Sequence, residues 1–416
     1  MFGTFKEKGY LSSKRVLQIE HPETNYVEYY LERHINQIVL QLTQNCNLRC
    51  SYCAYSNENN NSQRNHSVKK MDLQTAKSAI DFMIEHSCDS KDIAIGLYGG
   101  EPLLEFELIK DIIEYTESQI IGKRVKFTIT TNGTLLDNVI FQFLIEHNVS
   151  IVLSIDGPKD IHDINRKFVS GKGTFDTIYK NIQEIYQTYG ECVCEQISIN
   201  MVVDPQNDID EICNIFKEPI FNKVNVRYSV VDDVYIDDAT IYSDEYIEKY
   251  RYKYFVMLLS YLKIVSNAKC EKIFDGEMVK LEKEYDSYNK EYSGLPDVGA
   301  PSGPCIPGKR RLFVDVNGEI FPCERVSETS DIMKIDSLKN GFDYEKVKQL
   351  LNIGKLTQDE CSDCYAFTKC SICARLVDDN GRLSAEKKLK FCDVVRKSME
   401  LSLQEVILEK EIRKYY

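Results

Sequence analysis

The chain has 416 residues, 43 % of them hydrophobic and 28 % charged, and a net charge of −13. That length allows one large domain or several ordinary ones, and the composition is that of a globular protein. The negative charge without any long basic cluster argues against an enzyme that grips nucleic-acid phosphates, and no apolar run is long enough to span a bilayer.

The start, MFGTFKEKGY, has no apolar signal-peptide core, so a cytoplasmic protein is expected, with neither nucleic acid nor membrane as partner. In a reducing compartment fifteen cysteines do not form a disulfide framework. Cys46, Cys50 and Cys53 cluster near the start, and seven more fall between Cys305 and Cys392. That distribution points to metal sites at both ends of the chain.

Residues 1–36 are polar and aromatic and read as an N-terminal arm. From Gln37 to Val231 the pattern alternates. Apolar runs at Ile38–Leu42, Ile93–Leu97, Val125–Ile129, Ile151–Ser154, Ile197–Val203 and Val224–Val231 predict strands. Stretches with helical spacing lie between them: Leu73–Ile84 behind an N-cap at Asp72, Leu108–Ile120, Leu136–Ile145, Phe175–Tyr189 before Gly190, and Ile209–Phe216. A longer helix is expected from about Asp244 to Val265. Six β/α units imply parallel strands in an α/β fold, a partial (β/α)6 TIM-like barrel over residues 37–235. Six strands fall short of closure, and the open side can admit a large substrate. A helical connector, 236–304, ends in the loop-like GLPDVGAPSGP; a cysteine-rich region follows at 305–392, and an amphipathic C-terminal helix at 393–416.

The first cysteines follow the first predicted strand as CxxxCxxC, with Tyr52 before the last. Three thiolates on one loop can hold an iron–sulfur cluster with one iron left open, or a zinc ion completed by a distant ligand. Three further motifs sit at successive strand ends: Tyr98-Gly99-Gly100-Glu101-Pro102, Thr131-Asn132, and Ser154 with Asp156, followed by Arg166. This set resembles the radical S-adenosylmethionine superfamily. The resemblance implies a 4Fe–4S cluster on Cys46, Cys50 and Cys53, with S-adenosylmethionine chelating the open iron. It also implies that Tyr52 approaches the adenine, that the GGEP segment accepts the amino group, with Glu101 supplying negative charge nearby, and that Ser154 faces the ribose. Arg166 suits the methionine carboxylate. Asp156 either fixes the loop or touches ligand, and Asn200 and Val202 are further candidates for the sugar or base.

The later cysteines read Cys305, twelve residues, Gly318, four residues, Cys323; then Cys361-x2-Cys364-x5-Cys370-x2-Cys373; then eighteen residues and Cys392. Paired CxxC units also build zinc ribbons, but seven cysteines do not divide into four-ligand sites. They resemble the SPASM domain, and with the barrel the resemblance covers about residues 37–392. It implies two auxiliary 4Fe–4S clusters, three in all: one on Cys305, Cys323 and Cys373, and a closed one on Cys361, Cys364, Cys370 and Cys392. Asp297 to Pro304 holds no cysteine where sulfatase-maturating relatives have one, and the spacing after Cys370 is two rather than three. The first auxiliary cluster is thus expected to lack a fourth protein thiolate, its place left open, taken by a substrate cysteine or filled by Cys270. Glu324, directly after Cys323, matches a carboxylate that acts as a base toward substrate in those relatives.

Together with the opening segment, these features look most like maturases of cysteine-rich ribosomal peptides. The function implied is thioether formation, of the sactipeptide or ranthipeptide kind, in a leader-bearing precursor peptide through a 5′-deoxyadenosyl radical. A reducing donor such as flavodoxin or ferredoxin is then required. The competing readings are a formylglycine-forming sulfatase maturase and a non-catalytic iron–sulfur electron carrier.

Overall fold

The computed structural model describes residues 15–55, 63–232, 234–235, 240–266, 270–288 and 294–414. The first part of the N-terminal arm, 1–14, the end of the cysteine loop at Ser56 and part of the connector, 289–293, lie outside them.

Six parallel strands follow one another in chain order: β1 (Gln37–Thr43), β2 (Asp92–Gly99), β3 (Arg124–Thr131), β4 (Val149–Ser154), β5 (Ile197–Val203) and β6 (Asn225–Val230). In register, Ile38 faces Ile95, Ile95 faces Phe127, Phe127 faces Val149, and Ile151 faces Ile197. All of these side chains are buried. They meet helices α1 (Leu73–Glu85), α2 (Phe106–Gln119), α3 (Asn138–Glu146) and α4 (Phe175–Tyr189) in one core. Asp72 caps α1 by accepting from the Thr75 N–H at 2.6 Å, and Gly190 ends α4 at φ +60°. The predicted α/β architecture is therefore the observed one: β1 to β4 run two or three residues longer than expected, β5 has the expected bounds, and β6 is one residue shorter at each end.

The sheet does not stop at β1. Leu312–Val314 (β7) pairs parallel with β1, and Ile320–Phe321 (β8) pairs antiparallel with β7. The cysteine-rich segment thus adds two strands to the barrel sheet, which the sequence reading did not foresee. The sign was in β1 itself: Ile38, Leu40, Gln41 and Leu42 are all fully buried, as a central strand requires and an edge strand does not. A three-residue run, Leu312–Val314, is too short to be read alone. Strand β6 remains an edge and pairs only with β5 among the described residues.

The arm packs in two places. Gln18–Ile19 pairs with Val298–Gly299, and Ile19 packs beside Cys361 and Phe367, while Val27 and Leu31 enter the main core. Helix α5 (Asp244–Tyr261) is four residues shorter than expected. The last helix, α6 (Ala385–Ile412), begins eight residues before Asp393, because Ser384 caps it by accepting from the Lys387 N–H at 3.1 Å. Cys392 therefore lies inside a helix. No helix among the described residues is long and apolar enough to cross a membrane.

Candidate active site at the strand ends

The loop bearing Cys46, Cys50 and Cys53 leaves the C-terminal end of β1 and is tied down on both sides. On one side the Arg49 and Ser51 N–H groups donate to the Lys167 and Asn165 carbonyls, at 2.8 and 3.1 Å, and Val169 N–H donates to Asn47 at 3.1 Å. On the other, the GGEP backbone lies directly on the loop: Gly100 N–H donates to Thr43 O at 2.8 Å and Glu101 N–H to Asn45 O at 2.9 Å. A Cβ on Gly100 would stand 2.2 Å from Asn45 O, and one on Gly99 2.4 Å from Thr43 O. The close approach that these glycines permit is to the chain's own cysteine loop.

Glu101 is fully buried. Its carboxylate accepts from the Thr131 hydroxyl (2.7 Å), the Asn132 N–H (2.7 Å) and the Leu103 N–H (3.0 Å). It clamps the end of β2 to that of β3, and burial pushes its pKa up to about 7. Pro102 opens the short turn that follows. Asn132 donates to Asn47 Oδ1 at 2.9 Å and approaches Cys46 Sγ at 3.9 Å. The Thr131-Asn132 segment therefore braces the cysteine loop from the next strand.

Asp156 is the hub on the far side. Its Oδ2 accepts from the Tyr52 hydroxyl and from Arg166 Nε (2.8 Å), and its Oδ1 from the Val202 N–H (3.0 Å). Arg166 is buried, its guanidinium 5.5 Å from the Tyr52 ring centre. Of the two roles open to Asp156, these contacts display loop fixation. Buried His162 takes up the Asp156 N–H at Nδ1 (3.3 Å) and lies 2.9 Å from the Thr174 hydroxyl; burial lowers its pKa to about 3. Ser154 faces Asn200 in register, and Asn200 and Val202 occupy the partly exposed face of β5.

The three thiols share one neighbourhood. Burial, then nearby thiols and carboxylates, pushes Cys46 and Cys50 up to about 12 in the metal-free protein, while Arg166 opposes this at Cys50. Among the described residues no three His, Cys, Asp or Glu side chains close on a single metal ion. Cys46 and Cys50 each feel the charge of the neighbouring thiols, and an all-thiolate set suits an iron–sulfur cluster, where each ligand sits on a separate iron.

The later cysteines fall into two groups. Cys361, Cys364, Cys370 and Cys392 line one cavity. Cys305 and Cys373 are both close enough to Cys323 to raise its pKa; burial is the larger cause, and the result is about 11. Cys270 lines a separate cavity with Asp210, Cys213 and Glu271. Glu324 stands beside the three-thiol group, with its Oε1 paired to Arg311 and its Oε2 buried and without a hydrogen-bond partner.

One cluster escaped the sequence reading. Arg64 is fully buried, with Nε 2.6 Å from Glu328 Oε1 though out of hydrogen-bond alignment, and its guanidinium lies 4.7 Å from the Phe313 ring centre. It also donates to the Glu324 carbonyl and reaches the Tyr98 hydroxyl at 3.4 Å. Gln41 donates to Glu328 (2.7 Å) and to the Tyr55 hydroxyl (2.9 Å). These residues join the first cysteine loop to the segment carrying Cys323. Gln41, a polar residue inside the apolar run 38–42, was the visible signal.

Fold and site define an α/β enzyme with a thiolate centre at its strand ends. Residues 40–218 match the model of the Radical SAM superfamily. It is 22 % identical over 388 residues to a cysteine-type anaerobic sulfatase-maturating enzyme of Clostridium perfringens, covering 90 % of this chain and 97 % of that one. An uncharacterized protein of Methanocaldococcus jannaschii is 37 % identical over 145 residues, which is 35 % of this chain and 46 % of that one. The chain thus spans about half the length of that relative. A solved structure described as native anSMEcpe with bound AdoMet and Cp18Cys peptide superposes with a TM-score of 0.62 at 19 % identity, covering 91 % of this chain and 98 % of that one. That likeness is one of fold.

Proposed function

We propose that this enzyme matures a ribosomally made, leader-bearing peptide by joining a cysteine sulfur to a carbon of another residue in the same peptide. The observation that carries the reading is Glu324 Oε2, a buried carboxylate oxygen with no partner beside Cys323. Cys46, Cys50 and Cys53 would hold the first 4Fe–4S cluster. Cys305, Cys323 and Cys373 would hold a second, and Cys361, Cys364, Cys370 and Cys392 a third.

When bound, the first cluster and S-adenosylmethionine supply one-electron chemistry that removes a hydrogen atom from an unactivated C–H bond. The chain's own groups do the rest. Asp156 holds Tyr52 and Arg166 at the mouth of the loop, and Glu101 and Asn132 keep the loop in register with β2 and β3. Arg311 holds Glu324 through Oε1, which leaves Oε2 to take the proton of a substrate thiol. The peptide loses that proton, one hydrogen atom and one electron, and gains one carbon–sulfur bond. The later thiolate sets would hold clusters suited to accept that electron, and a reducing donor such as flavodoxin or ferredoxin would serve the first centre.

Formylglycine formation on a sulfatase is the second reading, supported by the near-full-length likeness to the C. perfringens enzyme. Residues 294–304 hold no cysteine, and Cys270 lines a cavity apart from the three-thiol group, which favours the thioether reading. Mass spectrometry of a cysteine-rich peptide and of a sulfatase peptide, each incubated with reconstituted enzyme, separates the two. Loss of two hydrogens with a blocked thiol supports thioether formation; an aldehyde trapped by a hydrazine on the sulfatase peptide overturns it.

A further inference from the structure

Lys388, Cys392 and Arg396 recur every four residues on α6 and so share one face. That face closes the cavity lined by Cys361, Cys364 and Cys370. Lys388 is only 2 % exposed. Its ammonium donates to Cys361 Sγ at 3.0 Å and to the Thr357 hydroxyl, which itself lies 3.4 Å from the same sulfur. Among the described residues no carboxylate forms an ion pair with Lys388. Arg396 also reaches a cavity thiol, that of Cys364, but Asp393 pairs with it at 2.9 Å and its side chain is 32 % exposed.

A buried ammonium is stable only beside compensating negative charge. Neutral thiols do not provide it, whereas a cluster held by four thiolates does. We infer that Lys388 is a positioning residue that compensates the charge of an iron–sulfur cluster in this cavity and raises its reduction potential. The inference rests on the assignment of the cavity to a cluster under the proposed function. One-electron reduction adds a negative charge to such a cluster. A buried cation donating to a ligand sulfur stabilises the reduced form and draws electron density from that sulfur. Lys388 thereby makes this centre an electron acceptor, which an oxidative peptide maturase needs.

The test uses the full chain, reconstituted with iron and sulfide, in the Cys46/Cys50/Cys53→Ala background that removes the first centre. Lys388→Met removes charge and donor, Lys388→Gln keeps a donor without the charge, and Lys388→Arg keeps both. Iron and sulfide are counted first, and the cluster is then titrated with dithionite through mediators and followed by electron paramagnetic resonance. Lys388→Met is expected to keep its iron and to show an at least tenfold lower ratio of reduced to oxidised cluster at a fixed potential, about 59 mV for one electron. Lys388→Arg restores most of that shift, and Arg396→Gln moves the potential less. Where Lys388→Met loses iron, Lys388→Gln carries the comparison. An unchanged potential in an iron-replete variant overturns the inference, and so does loss of iron in all three variants, which marks a purely structural lysine. Failure of the underlying cluster assignment shows separately, as unchanged iron content in Cys361→Ser and Cys392→Ser chains.

Discussion

Alanine at Gly100 tests whether the GGEP glycines serve the cysteine loop. The added methyl would stand 2.2 Å from Asn45 O, 2.6 Å from Asn45 C and 3.1 Å from Cys46 Cβ. Ordinary contact begins near 3.4 Å, so the two backbones must part by more than 1 Å. No flexible side chain is there to give way. The Gly100 N–H bond to Thr43 and the Glu101 N–H bond to Asn45 would both be lost, at about 1 kcal/mol each. Overpacking adds about 1–3 kcal/mol. The total is roughly 3–5 kcal/mol, and the displaced atom includes the β carbon of a thiolate ligand.

Urea unfolding of the metal-free chain reads the stability, and iron content after reconstitution reads the loop. The Gly100→Ala chain is expected to lose the same iron that a Cys46/Cys50/Cys53→Ala chain loses, while keeping the iron of the later cysteines. Gly276→Ala is the control: its methyl meets nothing within 4 Å, and helix propensity favours it by about 0.5 kcal/mol. A Gly100→Ala chain with full iron and a stability within about 1 kcal/mol of the parent would refute the argument.

The Cys46/Cys50/Cys53→Ala chain should release no 5′-deoxyadenosine from S-adenosylmethionine under reductant, measured by chromatography; retained release removes the first centre from the mechanism. Glu324→Gln keeps the shape but not the base, so peptide product should fall by about 100-fold or more while cofactor cleavage persists, read in one assay. Asp156→Asn leaves Arg166 buried without its counter-charge, at about 3–5 kcal/mol, seen as a lower urea midpoint. Burial pushes Glu328 up from 4.5 to about 7. Because its folded pKa is raised, the parent has the full contribution below about 4.5 and loses it as pH rises to 7. The loss is roughly 3 kcal/mol. Glu328→Gln should abolish that part of the slope between pH 4.5 and 7, and an unchanged slope would show that Glu328 titrates normally.

The parts of this site that were legible are those written in short range. β-branched runs, the Asp72 and Gly190 caps and the spacing of Cys46, Cys50 and Cys53 each act within a few residues, so the chain displays them directly. What stayed hidden is pairing across the chain. Nothing near Arg64 announces Glu328 or Phe313, and nothing in a three-residue run announces that Leu312–Val314 extends the barrel sheet. The glycines were legible as a demand for close approach, but the partner of that approach, the Asn45 carbonyl, was not. Arg166 was legible as a carboxylate-binding group, and the structure adds that an internal carboxylate already holds it. A ligand carboxylate that reaches Arg166 must therefore share the guanidinium with Asp156 or displace it. Asp156 also holds Tyr52 and Val202, so any such displacement moves the wall on which the cofactor would rest. Binding and loop order are coupled through that one carboxylate.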